Sequence, residues 1–232
     1  MNLSSARLGD VVLVVAPHPD DETLGAGGTI AKLSAHGATV HVLAVTCRTN
    51  VTCLGGSDPG LRGKEFEVAC DALGVVGRRL AWVDTDLAVH PHRHPRELVE
   101  LIESGTDISI ASVRPDVLLI PAGNGFHQDH HAVYRAGLAA ARLGGTAQRA
   151  PRIVLGYSGP EEQWTGDFNR MVFVDTSSTW DAKRRALSAY QSQLRPAPHP
   201  RSIEVISTLD EATGLRVGAP RAEAFVPYRM VC

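Results

Sequence analysis

The 232-residue sequence has little net charge, −2 with histidine neutral, and shows no basic stripe. That excludes a surface built for nucleic acid. No apolar run reaches the length that spans a bilayer, so no membrane partner is expected. Internal repeats and low-complexity segments are absent. There is no G-x-G-x-x-G after a strand, no Walker A and no serine-nucleophile motif, so the common nucleotide and acyl-serine chemistries are not indicated. The opening residues MNLSSARLGD lack a basic segment followed by a long apolar one. No signal peptide is expected, and the cytoplasm is the default location. Only four cysteines occur, Cys47, Cys53, Cys70 and Cys232, in no zinc-finger spacing. Free thiols are expected, with a redox or metal role at the Cys47–Cys53 loop as the lesser alternative.

What is present is ordinary in bulk and unusual in two places. Hydrophobic residues make up 44% and charged residues 21%, as in a soluble globular chain. The length suits one domain with a sizeable core, taken as residues 1–232.

The first place is Val11 to Gly37. Val11-Val12-Leu13-Val14-Val15 is a charge-free run of branched residues, the pattern of a parallel strand buried on both faces. It stops at Ala16-Pro17. His18-Pro19-Asp20-Asp21-Glu22 follows, with Pro17 and Pro19 fixing φ on either side of His18. Thr23, Leu24, Ile30, Ala31 and Leu33 then recur at helical spacing up to Gly37. One nitrogen and one oxygen donor from this turn, with a third from elsewhere, would hold zinc and leave a position for water. A second carboxylate would then accept a proton. The competing reading is a helix N-terminus enriched in acids because the dipole favours them. Gly25-Ala26-Gly27-Gly28 lies at the helix start, where small residues permit close packing or backbone approach.

The second place repeats the first. Asp116 to Ile120 is another short apolar run, and Ala122 to Phe126 is a loop by composition. His127-Gln128-Asp129-His130-His131 then enters a second helix. Two strands thus end in His/Asp clusters at strand-to-helix junctions. In one parallel sheet both clusters would share the carboxyl edge, where ligands bind, and one ion.

A-x-P-H-P-D-D-E-x-L-G-x-G-G-T early and H-x-D-H about a hundred residues later resemble the PIG-L/LmbE-like zinc-dependent N-deacetylases. Arg62-Gly63-Lys64-Glu65 with Ala69 and Leu73-Gly74 is similar to that family's R-x-x-E helix. Asp84-Thr85-Asp86, the Lys183/Ala186/Leu187/Ser192-Gln193 helix and Glu223/Phe225 are similar to further family segments. The resemblance runs from Val11 to about Phe225. It implies His18, Asp21 and His130 as metal ligands and Asp20 as the base that activates water. It implies His127 as the group that stabilises the oxyanion or protonates the leaving amine, and Asp129 as the residue that orients a histidine. Glu22 is read as a capping or supporting acid, and His131 as facing solvent or the sheet. The fold implied is a single-domain, Rossmann-like α/β sandwich with a mostly parallel sheet.

The intervening chain reads as strands at 39–46, 79–83, 152–157 and 171–174, and helices at 61–73, 96–114 and 175–194. Cys47 to Gly60 is a loop over the site, where Arg48 and Asn50 would meet sugar hydroxyls or a phosphate. Arg62 either holds a substrate group or pairs with Glu65 on the helix surface. Asp84 and Asp86 end a strand on the expected edge and would accept hydrogen bonds from sugar hydroxyls. His90, His92 and His94 fall in a proline-flanked loop and are read as exposed. Trp164 either walls a sugar pocket or covers the core.

The expected protein is a hydrolase that removes an N-acetyl or other N-acyl group from an amino-sugar-containing small molecule. Zinc is the expected metal, and iron(II) accepts the same donors. The alternatives are an amidase of the mycothiol-conjugate type and a metal-binding protein without catalysis, against which the intact Asp20 argues.

Overall fold

Alternation along β1, Val11–Ala16, divides the molecule. Val12 and Val14 enter one apolar cluster, Leu13 and Val15 another, and all four are fully buried. β2 (Thr39–Arg48) and β6 (Val117–Pro121) split the same way, with Val40 and Val42 against Leu43 and Val45, and Val117 and Leu119 against Leu118 and Ile120. A period of two on strands buried on both faces needs a layer of helices on each side. The structure is a computed structural model describing residues 9–48, 50–52, 55–84, 95–144, 149–165 and 169–231. It supplies both layers.

On one face lie α1 (Asp21–Ala35), α2 (Pro59–Leu73) and α6 (Trp180–Ala189), with Ile30, Phe66, Leu73 and Tyr190 in the core. On the other lie α3 (Pro95–Glu103), α4 (Ile110–Val113) and α5 (Gln128–Ala140), with Leu98, Ile102, Ile110 and Val133. Each such side chain contributes about 1.5–3 kcal/mol on burial. The seven-stranded sheet has the order β5-β2-β1-β6-β7-β9-β8, completed by β5 (Gly77–Asp84), β7 (Ile153–Tyr157), β8 (Val172–Asp175) and β9 (Ala222–Met230). β5, β2, β1, β6 and β7 run parallel, while β9 is antiparallel to both β7 and β8. A seventh helix, α7 (Ile203–Leu215), precedes β9.

β1 lies between β2 and β6, in register at Val12↔Val117 and Val14↔Leu119. α1 leaves β1 on one face and α5 leaves β6 on the other. That divergence opens a crevice at the carboxyl ends of β1 and β6, the switch point of a doubly wound sheet. Both sequence clusters sit there.

Three expectations change. The helix expected over 96–114 is two helices, because the turn-forming stretch Ser104–Ser109 interrupts it. Ser109 caps α4 by accepting from the Ser112 N–H, and its hydroxyl donates to the Thr106 carbonyl at 2.8 Å. The loop expected from Cys47 carries β2 through Arg48 and then a small antiparallel pair, β3 (Asn50–Thr52) and β4 (Gly55–Ser57). The helix expected from 175 begins only at Trp180, after a 3-10 turn. The small residues of α1 do permit close approach: a Cβ at Gly25 would collide with the ring of Tyr157, whose hydroxyl donates to the Val15 carbonyl at 3.0 Å.

Behind α1 lies a buried charge network. Lys183 is 1% exposed, and its Nζ lies 2.8 Å from Asp210 Oδ2 and 2.8 Å from Glu223 Oε1. Glu223 also accepts from the backbone N–H groups of Gly28 and Thr29, each at 2.8 Å. One cation is therefore shared by two carboxylates and ties α7 and β9 to α6, while Glu223 in turn holds the α1 backbone. Lys183→Met is expected to cost about 3–5 kcal/mol, because breaking a buried pair leaves an uncompensated charge. Urea unfolding checks this, and an unchanged midpoint would show that the network does not hold the fold. Cys47 and Cys70 are buried free thiols. Burial pushes both thiols up, which leaves them unreactive. Cys53 and Cys232 lie outside the described residues.

Candidate metal centre

After β1 the chain turns through Pro17–Asp20 and enters α1. The His18 N–H donates to Asp21 Oδ2 at 2.9 Å, and the Asp21 N–H returns to the His18 carbonyl at 3.3 Å. Asp20 has φ 119° and ψ −32°, a conformation that costs a non-glycine residue of order 1–3 kcal/mol. Its surroundings hold it there. Its N–H donates to Glu22 Oε2 at 3.1 Å, and Glu22 Oε1 accepts from the Tyr190 hydroxyl at 2.6 Å and the Thr23 hydroxyl at 2.7 Å. Glu22 is thus the supporting acid the sequence suggested, and burial lifts its carboxyl to about 7.

At the β6–α5 junction, His127 caps α5, its Nδ1 accepting from the Asp129 N–H at 3.2 Å. A neutral imidazole that accepts at Nδ1 carries its proton on Nε2. Burial lowers the His127 pKa, with the neighbouring His18 and His130 adding to the effect.

The two junctions converge. Asp21 Oδ2 lies 3.1 Å from His18 Nδ1 and 3.2 Å from His130 Nε2. These donor atoms lie within 4.8 Å of one another and could hold a metal ion. The remaining nitrogen of each histidine faces a carboxylate: His18 Nε2 is 2.8 Å from Asp129 Oδ2, and His130 Nδ1 is 3.3 Å from Glu162 Oε1. Histidines that ligate metals are commonly oriented in this way. Charge points the same way. Burial opposes ionisation of His130, yet Asp21 and Glu162 raise it to about 10. Burial opposes ionisation of Asp21 as well, yet the imidazoles draw it well below the usual carboxylate range. The cluster favours positive charge at its centre. His18, His127 and Asp129 form a second group within the same spacing, but there the His127 Nδ1 is already engaged by a backbone N–H.

A cavity of about 90 Å³ adjoins the cluster, lined by His18, Asp20, Asp21, His127 and His130 together with Arg48, Arg62, Glu161, Glu162, Gln193 and Arg201. Asp20 is 2% exposed. Its Oδ2 lies 3.1 Å from Arg201 Nη1 and 3.9 Å from Arg62 Nη2, while its Oδ1 is buried without a hydrogen-bond partner. Burial raises the Asp20 pKa and the two guanidinium groups oppose that rise.

Arg62 follows neither sequence reading fully. It lines the cavity, as a substrate-binding residue would, but its Nη2 donates to the Pro19 carbonyl at 2.9 Å. Glu65 accepts from the Ser192 N–H at 2.8 Å and from its hydroxyl at 2.5 Å, in place of the helix-surface pair with Arg62. Asp84 closes β5 opposite Arg48. Its side chain lies outside the described residues, as do Asn50's and the whole of Asp86, His90, His92 and His94. His131 is half-buried and belongs to neither candidate ligand group. Sequence reasoning missed Glu162, Glu161 and Arg201. The acids follow β7 at the same sheet edge, a position that could have flagged them. Arg201 stands in a proline-rich loop with no chemical signature.

Comparison with known proteins agrees with this geometry. The family described as "PIG-L: GlcNAc-PI de-N-acetylase" matches residues 13–141. A probable N-acetyl-alpha-D-glucosaminyl L-malate deacetylase 2 of Bacillus cereus is 30% identical, covering 78% of this chain and 83% of that protein. A 1D-myo-inositol 2-acetamido-2-deoxy-alpha-D-glucopyranoside deacetylase of Mycolicibacterium smegmatis is 32% identical over 85% of each. The crystal structure of the conserved protein TT1542 from Thermus thermophilus superposes with a TM-score of 0.74 at 28% identity, covering 97% of this chain and 96% of that one. With the matched residues spanning both clusters and the sheet that joins them, the chain belongs to the PIG-L (GlcNAc-PI de-N-acetylase) family.

Proposed function

We propose that this protein hydrolyses the N-acetyl, or a similar N-acyl, amide of an amino-sugar-containing small molecule, with a metal ion held by His18, Asp21 and His130. The observation that carries the reading is the convergence of these three donors beside a cavity lined by Asp20, one of whose buried carboxylate oxygens has no hydrogen-bond partner. Of the relatives named above, that of Mycolicibacterium smegmatis is a deacetylase of a 2-acetamido-2-deoxy-glucopyranoside and that of Bacillus cereus a probable N-acetyl-glucosaminyl malate deacetylase. Zinc bound by this donor set would lower the pKa of a water toward neutrality and polarise the amide carbonyl, and iron(II) takes the same ligands.

The chain's own groups do the rest. Asp20 takes the proton from the attacking water at Oδ1, while Arg201 and Arg62 restrain Oδ2. His127 presents an N–H at Nε2 to the developing oxyanion or to the departing nitrogen, since an amine leaves poorly unless protonated. Asp129 and Glu162 orient the two histidines. Glu162→Gln is therefore expected to weaken metal binding about 10–100-fold, measured by competition with a chromophoric chelator. Unchanged affinity would remove Glu162 from this role.

The reading is tested by acetate and amine release from N-acetylglucosamine conjugates, with metal content measured on the same sample. Activity should vanish on chelation and return with zinc. Full turnover by metal-free protein would overturn it, and cleavage confined to peptide-like amides would move the assignment to an amidase. Among the described residues no helix is long and apolar enough to cross a membrane.

A further inference from the structure

Phe126 and Trp164 stack on one another with ring centroids 5.4 Å apart and planes 26° from parallel. Both stand in solvent, 48% and 75% exposed. Trp164 therefore does not cover the core. Two large rings left this open forgo burial that aromatic side chains normally obtain. Their place in the chain ties them to the reaction centre. Phe126 precedes His127 and itself lines the cavity. Trp164 ends the 3-10 turn Pro160–Trp164, two residues after Glu162.

The cavity, about 90 Å³, is well below the roughly 300–1,000 Å³ that encloses a whole ligand. A conjugate held by its acylamino group must continue outside, and Phe126 extends the lining directly onto Trp164. We infer that Phe126 and Trp164 form a stacking subsite for a flat aromatic ring carried by the substrate on its sugar. This rests on the deacetylase reading and narrows its substrate class. A polyol ring would need hydrogen-bond partners along its rim, and the acids at this end are committed elsewhere. Glu161 Oε2 is 2.8 Å from Arg201 Nε, and Glu162 serves the Gly159 N–H at 3.0 Å and His130. The stacked pair itself offers a π surface, which accepts any flat ring without directional bonds.

The test compares wild type with Trp164→Ala on N-acetylglucosamine bearing a naphthyl or a methyl aglycone. Wild type should favour the naphthyl conjugate about tenfold in kcat/KM, chiefly through KM, and Trp164→Ala should bring the ratio close to one. An equal ratio in both proteins overturns the subsite. A Trp164-dependent preference for a disaccharide over the naphthyl conjugate overturns the aromatic assignment. A reaction-free arm uses 2-naphthyl glucoside, which has no amide, in saturation-transfer NMR. A signal in wild type that is lost in Trp164→Ala supports the subsite even where no N-acyl sugar is turned over, and the deacetylase reading would then fail alone. No signal in wild type overturns the subsite itself.

Discussion

Asp20→Asn should lower kcat by about a thousandfold, within the span attributed to a positioned general base, and leave the metal content at the wild-type level. Asparagine keeps the volume and shape of the carboxylate but accepts no proton at neutral pH. It also tolerates positive φ better than most residues, so the 119° backbone at this position need not relax. The Asp20 carboxylate turns its Oδ2 to Arg201 and Arg62. Metal analysis and acetate release on one sample decide the matter. Loss of metal alongside activity would make Asp20 a ligand, and a kcat within about tenfold of wild type would place the base elsewhere.

His130→Ala should abolish both properties. Removing the imidazole deletes a donor, and it takes from Asp21 and Glu162, both under a tenth exposed, the ring that each of them contacts. Metal affinity should fall by more than the roughly 10–100-fold attributed to lost supporting contacts, with turnover falling alongside. The contrast with Asp20→Asn is the informative part. Stoichiometric metal retained in His130→Ala would mean that the ion sits with His18, His127 and Asp129, the other group of suitable spacing.

The site was legible to the extent that its chemistry is local. His18, Asp20 and Asp21 lie in one turn, His127, Asp129 and His130 in another, and each turn follows a strand too apolar to be anything but interior. Adjacency of the two strands was the one step taken on expectation, and the β1–β6 register supplies it. What the sequence did not disclose arrives over long distances. Glu162 reaches His130 from the turn after β7, and Arg201 reaches Asp20 across 181 residues. No spacing rule announces such a contact. Of the two readings of Arg62, its place in the cavity lining is compatible with substrate binding, and only the helix-surface pair is displaced. Its i+3 neighbour Glu65 was available on the helix, but Ser192 offered two donors from another element and won. Ala222–Met230 does not read as a strand because Pro227 interrupts it. Proline donates no ladder bond, and the register with β7 shifts at Val154/Leu155, where Pro227 pairs.

The cavity draws on two stretches of chain. Its three candidate ligands and Asp20 all fall within residues 13–141, the span that matches the family. Gly159 to Glu162, Gln193 and Arg201 lie beyond that span. The metal donors and Asp20 thus come from the earlier part of the chain, while two groups that hold them in place, Glu162 against His130 and Arg201 against Asp20, come from the later part. Exchange of the later part would therefore alter the support of His130 and Asp20 as well as the outer wall of the cavity. A chimera joining residues before 141 to the corresponding later segment of a relative should keep the metal at wild-type affinity only where that segment supplies a carboxylate in the place of Glu162, as metal titration would show.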